Sequence, residues 1–356
     1  MRRCIAAVLL AGLCAGGCFR APETVNVNLG GGGDGGSGGG GSWRDMAGQY
    51  AGGTFLDAEQ GVLFYAYDTL AYPGRAIGLT ASLRSAKNLR DLAGAEVGFF
   101  RDGRMVGRAR TNADGMATIA WTPPREGNYE FTARILAPPR DDDYAQCPGV
   151  EAMLLVAAHE RAQRFVVIDL DHTLVDAGFL KVLAGGARPM ADSVRVATRL
   201  SGRYGVIYLT QRPDLLTRKS KHWLRANGYP VGPLLTGELK HALDSGAFKT
   251  ARLKDLRAVY PNVAIGIGDK ISDAQAYVDN GLTAYLIPHY KPKPKDLRKL
   301  AREIRDLRGR GRLHVVEDWR QIERGLFDGA SWPPETFARM LERQADRLER
   351  EKKEED

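Results

Sequence analysis

Two patterns of apolar and polar positions divide the chain. Between about residues 55 and 159, apolar residues come in short runs separated by turn residues, with the two-residue spacing of half-buried strands. This predicts strands at 61–66, 76–83, 95–100, 105–111, 117–121, 129–136 and 152–157. Asp102-Gly103 and Asp114-Gly115 stand between strand pairs, and Asp-Gly is a strong hairpin signal. Roughly seven strands in about a hundred residues predict an all-β sandwich of immunoglobulin-like topology.

Beyond residue 160 the pattern alternates. Strands are expected from Phe165 and at 206–210, 263–268, 283–287 and 314–316. Helices are expected at 192–201, 215–227, 250–260, 272–280 and 319–327. Alternation of this kind predicts an α/β fold, a parallel sheet with covering helices. The tail 331–356 carries opposite charges three or four residues apart, which predicts an exposed, fraying surface helix.

The start of the chain adds a targeting layer. Met1-Arg-Arg-Cys-Ile-Ala-Ala-Val-Leu-Leu-Ala-Gly-Leu is a cationic start with an apolar run too short to span a bilayer as a mature helix, so it reads as a secretory signal. It ends Ala15-Gly-Gly-Cys18, which resembles a bacterial lipobox and implies lipidation of Cys18. The −3 position is Ala rather than the usual Leu, which leaves a plain signal peptide open. The glycine tract at 30–42 is a flexible tether, with a reach on the order of 5–6 Å times the square root of its length. The expected organisation is signal peptide 1–17, lipidated N-terminus and linker 18–54, sandwich 55–160, α/β domain 161–330 and charged helix 331–356. The implied location is outside the cytoplasm, on a membrane-anchored lipoprotein facing the periplasm or cell surface.

With Cys4 and Cys14 removed alongside the signal, Cys147 has no disulfide partner and reads as a spectator. Lysine and arginine (51) outnumber aspartate and glutamate (43), a net charge of +8, much of it in Lys291-Pro-Lys-Pro-Lys-Asp-Leu-Arg-Lys and the arginines at 302, 305, 308, 310 and 312. A solvated basic helix is one reading of that run; attraction to anionic headgroups or phosphorylated substrates is the other. No nucleic-acid partner is expected, and oligomeric state is not legible.

Chemistry concentrates at the ends of the predicted parallel strands, where open α/β sheets bind ligands. Phe165-Val-Val-Ile-Asp-Leu-Asp-His-Thr-Leu-Val175 closes on two carboxylates, and strand alternation would point Asp169 and Asp171 the same way. One could attack phosphorus while the other manages a proton. The second strand ends on the hydroxyl of Thr210, followed by Gln211 as a substrate contact. Lys249 follows in a helix-like stretch, with Lys254 as a competing cation, and the third strand closes on Asp269 and Asp273. The last two also suit a helix N-cap and a first-turn acid. His172 reads as an entrance residue.

These four motifs resemble the haloacid dehalogenase superfamily over roughly residues 165–327. The resemblance implies a Rossmann-like sheet and Asp169 as a nucleophile that becomes an aspartyl-phosphate. Asp171 would be the acid and base, with Thr210 and Lys249 on the phosphate. It further implies Mg2+ on Asp169, Asp269 and the backbone carbonyl of Asp171, with Asp273 holding a water ligand or orienting the lysine. Neither interval between motifs, each about forty residues, holds a full cap domain, which favours large or surface-displayed substrates. The runs Tyr208-Leu-Thr-Gln-Arg-Pro, Trp223 to Leu235, Phe248 to Leu256 and Gly268 to Tyr277 are similar to lipin-type phosphatidate phosphatases and their phosphatidylinositol-transfer relatives. Asp169-Leu-Asp-His-Thr-Leu is closer to small C-terminal-domain protein phosphatases, but those place the last acids side by side, whereas Asp269 and Asp273 lie four apart. The sandwich resembles bacterial immunoglobulin-like domains, which implies a spacer or substrate-presenting role. The resulting expectation is a magnesium-dependent phosphomonoester hydrolase acting on phosphatidate or a related phospholipid. A phosphate-lipid binding module without turnover, or an exported acid or protein phosphatase of broad specificity, are the competing readings.

Overall fold

The computed structural model describes residues 58–176, 187–237 and 245–355. Cys18, the signal and the glycine tether lie outside the described residues. Among those described, no helix is long and apolar enough to cross a membrane.

The first part folds as two facing sheets. Strands β1 (Val62–Ala66), β3 (Ile77–Ser85) and β6 (Met116–Trp121) pair in the order β1-β3-β6. Strands β2 (Thr69–Ala71), β4 (Glu96–Arg101), β5 (Arg104–Arg110), β7 (Gly127–Ala137) and β8 (Glu151–Ala158) pair in the order β2-β8-β7-β4-β5. Inward residues from both sheets, among them Leu79, Leu83, Val97, Phe99, Phe131 and Ile135, form one core. All seven expected strands are present within two residues of their expected ends. Asp102 and Gly103, both with positive φ, close the β4–β5 hairpin as expected. The second Asp-Gly does not make a hairpin. It joins β5 to β6, which lie in different sheets, and the turn is instead built on Asn112, whose Oδ1 accepts from the N–H groups of Asp114 and Met116. Gly115 is obligatory there: its φ is +71°, and a Cβ would lie 2.5 Å from the Leu83 carbonyl oxygen.

A six-residue connection leads to a fully parallel sheet of β9 (Phe165–Ile168), β10 (Gly205–Pro213), β11 (Leu234–Gly237), β12 (Val263–Gly268), β13 (Thr283–Leu286) and β14 (Leu313–Val315). Its order is β11-β10-β9-β12-β13-β14. The chain builds outward from β9 in one direction, then returns to build outward in the other. The reversal falls between β9 and β12, and a crevice opens there at the carboxyl ends. Both faces are covered. Phe165 and Val167 face one core, with α3 (Ser245–Val259), α4 (Ile271–Asp279), α5 (Pro294–Asp306) and α7 (Pro334–Glu355). Val166 and Ile168 face the other, with α1 (Ser193–Ser201), α2 (Thr217–Ala226) and α6 (Trp319–Asp328). A four-residue strand with every side chain buried is what an inner parallel strand requires.

The tail departs from expectation. Helix α7 is not a fraying surface helix: Phe337, Ala338, Leu341 and Ala345 form a stripe buried against the α/β core. Its acids pair chiefly across helices. Arg305 of α5 meets Glu335 and Glu342, and Arg298 meets Asp346 and Glu349. Part of the basic run is therefore neutralised within the fold.

Candidate active site

Strand β9 stops at Ile168, but the Asp169 N–H still donates to the Ile267 carbonyl of β12 at 2.9 Å, which pins this residue to the crevice. Asp269 follows the last residue of β12, and Asp273 lies in the first turn of α4. A carboxylate oxygen from each of Asp169, Asp269 and Asp273 lies within 4.8 Å of the others, and all three residues are buried. Two glycines permit this closeness. A Cβ on Gly268 would sit 2.9 Å from Asp273 Oδ2, and one on Gly266 would sit 2.2 Å from the Tyr277 ring. Helix α4 therefore presses on β12 more closely than any side chain on the strand would allow.

Lys249, on α3 and only 2 % exposed, places Nζ 2.8 Å from Asp169 Oδ1 and 2.8 Å from Asp273 Oδ2. Burial works against its charge, but Asp169 and Asp273 outweigh it and hold the ammonium well above its ordinary pKa. Lys254 is exposed on the same helix, so the choice between the two cations falls to Lys249. Burial pushes the Asp269 carboxyl up to about 8, with Asp169 and Asp273 pushing the same way. Burial likewise raises Asp169 to about 6, with Lys249 pulling it back. With all three acids ionised, the one lysine leaves two negative charges uncompensated, and Asp269 Oδ1 is buried with no hydrogen-bond partner. A divalent, oxygen-seeking cation satisfies both deficits, so the residues present fit magnesium.

Asp171 goes elsewhere. The chain turns at Leu170, whose carbonyl accepts from the N–H groups of Leu174 and Val175, so strand alternation does not extend to this residue. Both oxygens of Asp171 accept from Arg212: Oδ2 from Nε at 3.0 Å and Oδ1 from Nη2 at 2.7 Å. Its carboxylate is thus not one of the clustered ligands, and its backbone carbonyl is what it can offer a metal. Arg212 is 4 % exposed, and its Nη1 donates to Ser220 Oγ at 2.9 Å. It was missed in the sequence; its signal was its place one residue before a proline and two after the expected hydroxyl. Thr210 is buried on β10, where the pairing of Tyr208 with Ile168 sets it beside the turn after β9. Its Oγ1 accepts from the Arg212 N–H. Gln211 is half-buried next to it. His172 adopts a left-handed φ of 54° and stacks on exposed His289, with ring centroids 4.6 Å apart. Cys147 is buried in the sandwich core, and burial raises its thiol, as suits a spectator.

Residues 166–287, from β9 to just past β13, match the family model of the LNS2 domain of PITM 1-3, a lipin/PITM-type domain with the haloacid dehalogenase-like phosphatase fold. The matched stretch contains Asp169, Asp171, Thr210, Lys249, Asp269 and Asp273. No curated protein matches the chain. Among solved structures, the Pnkp1/Rnl/Hen1 RNA repair complex is similar at 16% identity and a TM-score of 0.32, covering 36% of this chain and 43% of that one. The D00-D0 domain of intimin is similar at 21% identity and a TM-score of 0.19, covering 26% of this chain and 45% of that one. The Ig1-2 module of Drosophila receptor protein tyrosine phosphatase DLAR is similar at 13% identity and a TM-score of 0.20, with 32% and 62% covered. The chain thus spans less than two thirds of each of these.

Proposed function

We propose that the protein is a magnesium-dependent phosphomonoester hydrolase that works through an aspartyl-phosphate on Asp169 and acts on phosphatidate or a related phospholipid. The observation that carries this reading is the buried group of Asp169, Asp269 and Asp273, with Lys249 bridging the first and last of them.

Magnesium would be held by Asp169, Asp269 and the Asp171 carbonyl, with Asp273 behind them, and would supply charge neutralisation on the phosphoryl oxygens. Asp169 attacks phosphorus: its oxygen gains a bond to phosphorus as the ester oxygen loses one. Asp171 takes up a proton from solvent and passes it to the departing alkoxide; as the carboxylate it then takes one from the water that cleaves the acyl phosphate and frees inorganic phosphate. Lys249 stays ionised throughout and offsets charge on Asp169 and the incoming phosphate. Thr210 supplies a hydroxyl at the adjoining strand end.

Two observations favour a substrate displayed on a surface. Among the described residues, the intervals between the motifs hold α1 and α2, packed on the sheet, and β11, its edge strand, and no second domain over the strand ends. Exposed cations also flank site residues along the chain: Lys270 follows Asp269, and Lys291, Lys293 and Lys295 follow His289, which stacks on His172. A lipid anchor at Cys18 would keep the site close to such a surface. The protein is read as exported and membrane-tethered on these grounds.

The test uses the purified chain with magnesium against phosphatidate vesicles and a soluble aryl phosphate, with Asp169→Asn alongside. Phosphate release from vesicles, lost by on the order of a thousandfold or more in the variant, is expected. Vesicle binding without release from either substrate would turn the reading into a binding module, and equal turnover of the aryl ester would make it a broad phosphatase.

A further inference from the structure

The sequence gives the sandwich no chemistry, yet its packing reaches the active site. Leu63 and Tyr65 of β1 form a small apolar cluster with Leu215 and Leu216 of the 3-10 turn Asp214–Leu216 that follows β10. Asp214, the first residue after β10, is fully buried against the sandwich. Its Oδ2 accepts from the Tyr67 hydroxyl at 3.0 Å, and its Oδ1 accepts from Arg84 Nη1 at 3.4 Å and from the Leu215 N–H at 2.9 Å. A second buried carboxylate crosses in the other direction. Asp68 of the sandwich accepts from the Leu234 N–H at 2.9 Å, and from Lys221 Nζ of α2 at 2.6 Å.

Between Asp214 and Arg212 there is one residue, Pro213, whose ring holds φ at −56°. A displacement of Asp214 has little free rotation in which to dissipate before it reaches Arg212. The other support of Arg212 is Ser220, one residue before Lys221, the residue that Asp68 holds. Both ends of the Arg212 mounting are therefore fastened to the sandwich.

We infer that the sandwich is a positioning element of the active site: Tyr67 and Arg84 hold Asp214, which sets Arg212, and Arg212 holds the Asp171 carboxylate in one place. The role of Asp171 in this inference rests on the proposed function. Asp171 is the group that must reach a leaving oxygen, so its placement matters for esters whose alkoxide departs only when protonated. A nitrophenolate departs without a proton and should be indifferent to it.

The test compares the full chain with a Tyr67→Phe/Arg84→Met double variant. Arg212→Lys serves as the positive reference, and Arg225→Gln, which removes an exposed ion pair with Glu130 at the same interface, as the control. The first readout is hydrogen exchange, which reports local opening whether or not the protein turns anything over. Exchange in the 166–176 segment is expected to rise several-fold in the double variant, with 263–268 unchanged and the control like the parent. The second readout is the ratio of turnover on an alkyl phosphate to that on nitrophenyl phosphate, with magnesium. It is expected to fall on the order of tenfold in the double variant and in Arg212→Lys. Unchanged exchange at 166–176 overturns the inference, and so does an equal loss on both esters. If the parent hydrolyses neither ester while the exchange still shifts, the hydrolase reading fails and the mechanical link stands.

Discussion

Asp269 has one oxygen buried without a partner and two carboxylates beside it, so in the metal-free protein its folded form keeps a proton up to about pH 8. The unfolded chain releases that proton at about 3.9. Between those values the folded state binds more protons than the unfolded one, so the stability of the metal-free protein declines as pH rises through that window. Thermal unfolding from pH 4 to 8 without divalent ions should show a falling Tm. Added magnesium should raise Tm most at the upper end, where the carboxylate that binds it is the dominant form; a flat profile in chelator would argue against the assigned cluster. Lys249 belongs to the same balance, and it was legible because a lysine at that spacing between strand-end acids fits a phosphate site. Arg212 was not. An arginine after a strand reads as a surface cation, and only tertiary packing reveals that its guanidinium lies beneath the surface against a carboxylate.

At the level of elements, the strands of both parts were readable because alternation and β-branched runs are local signals. Strands β2 and β11, of three and four residues, were not among those expected, although the equally short β9, β13 and β14 were. Helix α7 was misread because its apolar stripe is thin beside its charge, and the charges look self-satisfying until α5 is placed next to them. The Gly266–Tyr277 contact makes the element-scale prediction. Gly266→Ala pushes a methyl into a ring that has no exposed surface. A loss of about 1–3 kcal/mol in urea unfolding is expected. Asp273 sits one turn before Tyr277 on the same helix, so magnesium affinity by calorimetry should fall as well. Lost stability with unchanged affinity would show that α4 can yield without moving its acid.

Across the whole molecule, the net charge of +8 proved uneven in its use. Arg298 and Arg305 are taken up by α7, and Arg308 by Asp279, while Lys270, next to Asp269, and Lys291, Lys293 and Lys295, shortly after His289, are exposed. If those lysines draw the protein to an anionic surface, the attraction is screened by salt, with a Debye length near 10 Å at 0.1 M and about 3 Å at 1 M. Turnover on anionic vesicles should therefore drop as ionic strength rises, while turnover on a soluble aryl phosphate changes little; parallel salt curves would remove the lysines from substrate capture. The division into two parts was visible in the sequence, but not the fit between them, because the carboxylates that cross it, Asp68 and Asp214, are single acids with no local pattern.

That crossing bears on how the chain can be recombined. A hybrid that transplants the phosphatase-like half behind a different leader module would inherit Asp214 facing a stranger, with Lys221 and the Leu234 amide left without Asp68. To graft cleanly, such a swap would have to carry Tyr67, Asp68 and Arg84 across with it, so the true seam of this protein runs through the sandwich rather than through the short connector after β8.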